Sequence, residues 1–110
     1  MIYITIDRTK SGLVHSFTMS GHADYAEHGS DIVCAGASAV SFGTVNAIEA
    51  LIGVRAEVKQ GENGGFLQCV FPETISDETQ EKVQLLLEAM IVSLKGIEQE
   101  YGKHIKITFK

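Results

Sequence analysis

At 110 residues the chain is long enough for one domain and too short for two. Its 45% hydrophobic and 21% charged residues are those of a folded chain with a core, which excludes an intrinsically disordered segment. A formal net charge of -5 with no basic run argues against direct nucleic-acid binding, and favours a basic peptide or protein as partner.

Ile2, Ile4 and Ile6 alternate with Tyr3, Thr5 and Asp7, the pattern of a half-buried strand rather than of a signal peptide. Lys10-Ser11-Gly12 reads as a turn. Leu13, Phe17 and Met19 then share one face of a second strand, with His15 between them on the same side. From Gly21 to Asp31 the period vanishes into a polar segment, in which Ala23, Tyr25 and Ala26 are expected to form a short turn of helix. A polar loop of this length in so small a domain points to function or disorder.

Asp31 is placed to cap a helix that runs to Ile52 and stops at Gly53. Its Ala, Ser and Gly content makes it thin, and it is expected to be buried on most sides, by two layers or by a second subunit. The uncharged stretch Ile32 to Ile48 is diluted with Gly, Ser, Thr and Asn and is slightly short for a membrane span, so no membrane contact is expected. Val54, Ala56 and Val58 alternate as a third strand. Gln60-Gly61-Glu62-Asn63-Gly64-Gly65 is a hairpin turn, and Phe66 to Phe71 a fourth strand closed by Pro72. Ser76 or Asp77 caps a long amphipathic helix whose apolar stripe is Val83, Leu86, Leu87, Met90, Ile91, Leu94, Ile97 and Tyr101 and which ends at Gly102. Ile105, Ile107 and Phe109 form a last strand. The expected fold is α+β: a single domain over residues 1–110, in the order ββαββαβ, with a largely antiparallel sheet packed on two helices.

Chemistry concentrates between His22 and Cys34. Cys34 falls in the first turn of the first helix, where free N–H groups and the helix dipole favour a thiolate. His22 stands at the end of the second strand, and a returning loop brings it within reach of Cys34. The same N-terminal amides are candidates to hold an oxyanion. Position alone favours the plainer reading of Cys34 as a small buried side chain.

The reading changes with the motif. Gly21-His22-Ala23 followed by Gly29-Ser30-Asp31-Ile32-Val33-Cys34-Ala35-Gly36-Ala37-Ser38 resembles the signature of the Prp family, the ribosomal-processing cysteine proteases of Firmicutes and related bacteria. Phe42-Gly43, Val45-Asn46-Ala47-Ile48, Asn63-Gly64-Gly65 and Ile97-Glu98-Gln99-Glu100-Tyr101 extend the resemblance over nearly the whole chain. It implies a homodimeric cytoplasmic endopeptidase without a cofactor. Such an enzyme removes the N-terminal extension of large-subunit ribosomal protein twenty-seven, cutting after a pair of aromatic residues and before a small one. The family's histidine maps onto His22 and its nucleophile onto Cys34, while Gly21, Asp31 and Ser38 match further motif positions. The loop between the two catalytic residues is expected to close on the substrate. Asp31 either caps the helix or orients His22; Ser38, one turn beyond Cys34, either lines the substrate groove or bonds its own backbone.

Two other readings use the same residues. His22, His28 and Cys34, with Asp24 and Asp31, could ligate zinc, but no CxxC or HxxxH pair is present and no metal is expected. A non-catalytic ribosome-assembly module that binds a basic protein would carry the same acidic charge. Cys69 reads as core packing, and His15 and His104 as strand residues.

Overall fold

The computed structural model describes residues 1–27, 31–61 and 64–110. Seven elements follow one another: β1 (Ile2–Arg8), β2 (Val14–Ser20), α1 (Ile32–Ile52), β3 (Glu57–Gln60), β4 (Phe66–Val70), α2 (Asp77–Tyr101) and β5 (Ile105–Phe109). The strands form one sheet in the order β3-β4-β2-β1-β5, antiparallel throughout except for the parallel pair β1 and β5. The ββαββαβ order and the single α+β domain are those expected.

Alternation in β1 works as the sequence dictates. Ile2, Ile4 and Ile6 are buried, while Tyr3 and Asp7 face out. Each fully buried aliphatic side chain of this kind stabilises the fold by about 1.5–3 kcal/mol. In β2 the expected inward set is wrong by one position. The register shifts between Asp7, which pairs with Ser16, and Arg8, which pairs with Val14. This bulge leaves His15 without an opposite partner and turns Val14 into the core beside Phe17 and Met19. Leu13 precedes the strand and is half-buried.

Both helix boundaries agree with their capping chemistry. Asp31 accepts the Val33 and Cys34 amides at the start of α1, and Gly53 closes it at φ 77° with its own amide on the Glu49 carbonyl. Ser76 caps α2, whose buried Val83, Leu87, Met90, Ile91 and Leu94 form one stripe. The expectation for α1 does not hold within this chain. Only Val33, Ala37, Ser41 and Ile48 are buried, a single narrow stripe, and Ile32 and Leu51 are 57% and 77% exposed. Its small residues permit close approach on one side only, where Ile97 Cδ1 stands 3.7 Å from the position a Gly36 Cβ would take. The whole 21-residue α1, longer than the uncharged stretch Ile32 to Ile48, is by length and composition apolar enough to cross a membrane, but here it packs on α2.

The third strand begins later than its alternation predicts. Val54 and Ala56 are buried in the irregular link after α1, and β3 itself is exposed along its length. Those two side chains anchor the link to the core, which mimics a strand pattern without strand pairing. Residues 23–26 form no helical turn.

Candidate active site

Strand direction gathers the site. β2 runs antiparallel to β4 and β1, so its last residue, Ser20, pairs with Phe66 on one side and Tyr3 on the other. β5 runs parallel to β1, with Ile2 opposite Ile105. The chain just after β2, the turn before β4, the start of β1 and the turn before β5 therefore meet at one end of the sheet. The first turn of α1 lies beside them.

Gly21 continues the pairing beyond β2, its amide donating to the Gly65 carbonyl at 2.8 Å. It has φ 89°, and a Cβ there would collide with the Met1 carbonyl oxygen. Only glycine satisfies both conditions. His22 follows, its imidazole laid over Gly65. A Cβ on Gly65 would stand 2.8 Å from His22 Nε2 and 3.2 Å from Cε1. The ring thus rests where a side chain is missing. The Met1 nitrogen donates to the His22 carbonyl at 2.6 Å, which fixes the backbone behind the ring.

His22 and Cys34 line the same cavity of ≈ 200 Å³, together with Gly21 and Ser38. Cys34 is half-buried, and its sulfur accepts the Ala23 amide at 3.2 Å. Ser38 stands one helical turn further along the same wall. Ile2, Met19, Phe42, Phe66 and Leu67 form an apolar wall, and the hairpin turn adds Gln60 and its glycines. Cys69, by contrast, is fully buried in β4, and burial pushes its thiol up to about 11. It packs, as expected.

Asp31 is the helix cap, and it does more. Oδ1 takes the amides of Val33 and Cys34 at 2.9 and 3.0 Å, while Oδ2 takes those of Tyr25 and Ala26 at 2.8 and 3.2 Å. Burial alone would resist its ionisation, but the four backbone donors from Cys34, Ala26, Tyr25 and Val33 outweigh it and hold the carboxyl below the usual aspartate range. One carboxylate ties the loop after His22 to the start of α1. This corrects the expected oxyanion site: the Val33 and Cys34 amides are committed to Asp31, and the Ala35 amide to the Asp31 carbonyl. The donor directed at the sulfur is Ala23, which stands in the motif but to which the sequence assigned no role.

His104 departs from the strand placement expected of it. It is not in a strand but in the turn between α2 and β5, and its Nδ1 lies 2.9 Å from the Ala23 carbonyl oxygen. Gly29 and Ser30 of the motif, His28 of the zinc reading, and Glu62 and Asn63 of the hairpin turn lie outside the described residues. Among the described residues no group of three His, Cys, Asp or Glu side chains could hold a metal ion.

Comparison with known proteins settles the family. The family model described as Cysteine protease Prp matches residues 1–106. This chain belongs to the Prp family of cysteine proteases. The Ribosomal processing cysteine protease Prp of Bacillus subtilis (strain 168) is 47% identical over 108 residues, 98% of this chain and 96% of that protein. Its namesake from Staphylococcus aureus (strain Mu50) is 44% identical over 110 residues, all of both chains. The Prp crystal structure from S. aureus with a covalently linked product peptide superposes with a TM-score of 0.90, at 44% identity and over the full length of both chains. The Streptococcus mutans protein SMU.848 matches with a TM-score of 0.84 at 33% identity, covering 99% of this chain and 93% of that one.

Proposed function

We propose that all 110 residues form one cysteine endopeptidase domain, with Cys34 as nucleophile and His22 as its acid–base partner. The substrate is the N-terminal extension of large-subunit ribosomal protein twenty-seven, cut after an aromatic pair. The observation that carries this reading is the shared cavity: His22 and Cys34 line one hollow, and the Ala23 amide points at the Cys34 sulfur.

The chemistry follows from those groups. The Cys34 thiol proton passes to His22, and the sulfur attacks the scissile carbonyl carbon, forming a C–S bond. As the tetrahedral intermediate collapses, the C–N bond breaks and His22 returns the proton to the leaving amine. Water, deprotonated by His22, then hydrolyses the thioester, which releases the carboxylate and restores the thiol. Ile2, Met19, Phe42, Phe66 and Leu67 offer the apolar wall that an aromatic side chain needs, and Ser38 lines the groove beside them. The enzyme works in the cytoplasm without a cofactor, as a homodimer. The exposed apolar side chains of α1, Ile32 and Leu51 among them, support a partner for that helix.

Mass spectrometry of the ribosomal precursor peptide after incubation with the protein tests the reading. One cut after the aromatic pair is expected, abolished by Cys34→Ala and by His22→Ala. A Cys34→Ala protein that still trims the peptide removes Cys34 from the mechanism. A wild type that binds the peptide without cutting it is a binding module instead.

A further inference from the structure

Ala23 is held at both of its polar atoms. Its amide donates to Cys34 Sγ at 3.2 Å, and its carbonyl oxygen lies 2.9 Å from His104 Nδ1. A carbonyl only accepts, so Nδ1 carries the proton and donates. The residue is 1% exposed, packed in the core cluster.

The histidine is itself seated firmly. Its amide donates to the Tyr101 carbonyl and its carbonyl accepts from Ile2, both at 2.8 Å. The Tyr25 ring meets His104 edge-on at 5.3 Å and Tyr101 edge-on at 5.5 Å. Asp24, between Ala23 and Tyr25, turns the chain at φ 54°, a left-handed conformation that aspartate tolerates better than most non-glycine residues. The end of α2 and the turn into β5 thus clasp the segment that follows His22, across 81 positions of sequence.

We propose that His104 is a positioning residue for the reaction: its Nδ1–H holds the Ala23 carbonyl and so keeps the Ala23 amide aimed at the Cys34 sulfur. This rests on Cys34 being the nucleophile. An N–H directed at sulfur favours the thiolate, the form that reacts. His104 supplies no proton and touches no substrate; it acts through Ala23.

The test separates this role from folding. Native protein is alkylated with iodoacetamide at fixed pH, Cys34 modification is followed by mass spectrometry, and peptide cleavage is measured in parallel. His104→Ala slows alkylation about tenfold, the size of one lost hydrogen bond, and kcat falls similarly. KM stays within about twofold, since the apolar wall is untouched. His104→Asn restores both rates, because its amide nitrogen replaces Nδ1. His104→Gln does not, because its nitrogen replaces Nε2 instead. Equal alkylation rates in wild type and all variants, or equal rates in Asn and Gln, overturn the proposal. Should His104→Ala fail to fold, the Asn and Gln pair decides alone. Cleavage by Cys34→Ala would instead remove the nucleophile reading, an outcome that the alkylation rates do not mimic.

Discussion

Gly64 and Gly65 provide a matched pair of perturbations for testing how His22 is placed. Both have φ 74°, a conformation that strains an alanine at either position, by about 1–2 kcal/mol. Both variants should therefore lose about 4 °C or more in Tm. They differ in what the new methyl meets. At Gly64 nothing among the described residues lies within 4 Å, whereas at Gly65 the methyl falls 2.8 Å from His22 Nε2, 3.2 Å from Cε1 and 3.5 Å from Cδ2. Ordinary carbon contacts begin near ~3.5 Å, so the ring must retreat by about 0.7 Å or more. A displacement of that order in a reacting group costs about 100-fold in rate. Gly65→Ala should thus lower kcat/KM for the precursor peptide by about 100-fold, while Gly64→Ala, at similar stability, stays within about threefold. Thermal melts and steady-state cleavage of one peptide provide the comparison. Equal loss of kcat/KM in the two variants would refute the idea that the empty space on Gly65 sets the imidazole position.

Asp31→Asn presents an amide nitrogen where the Tyr25 or the Val33 pair of backbone donors needs an acceptor, so hydrogen exchange at Tyr25 and Ala26 should quicken while the α1 boundary persists. Because the folded-state Asp31 carboxyl is held below its usual range, its stabilisation is complete above that range and disappears as pH falls through the depressed folded-state value. Acid titration of Tm should show that loss in wild type and a smaller one in Asp31→Asn; identical profiles would contradict the assignment. Cys69, with its thiol pushed up to about 11 by burial, should resist alkylation in native protein at pH near 8, leaving Cys34 as the one modified residue until denaturant is added. Mass mapping that finds Cys69 labelled first would contradict its burial.

Local rules carried much of the fold. The caps Asp31 and Ser76, the stop at Gly53, the alternation of Ile2, Ile4 and Ile6 and the stripe of α2 depend on neighbours within a turn or two, and each sits where its chemistry places it. Errors arose where a partner strand or the core intervened. The β1–β2 bulge exchanged His15 for Val14, and burial of Val54 and Ala56 imitated a strand. The apolar surface of α1 is broader than this chain covers: Ala39, for instance, remains exposed, so two layers within the chain do not bury the helix. At the site, His22 and Cys34 were legible through the motif, and Asp31 through its capping preference. Ala23 and His104 were not, because a backbone amide carries no side-chain signature and a histidine 81 residues away carries no spacing.

Sequence alone determined which residue types stand at each helix start, strand face and turn, since those preferences are settled by dihedral angles and hydrogen bonds between near neighbours. Tertiary structure decided which of them meet. Strand order and direction bring positions 1, 22, 65 and 104 to one end of the sheet, and no local preference encodes that meeting: it arises when the whole apolar face of the sheet is buried at once.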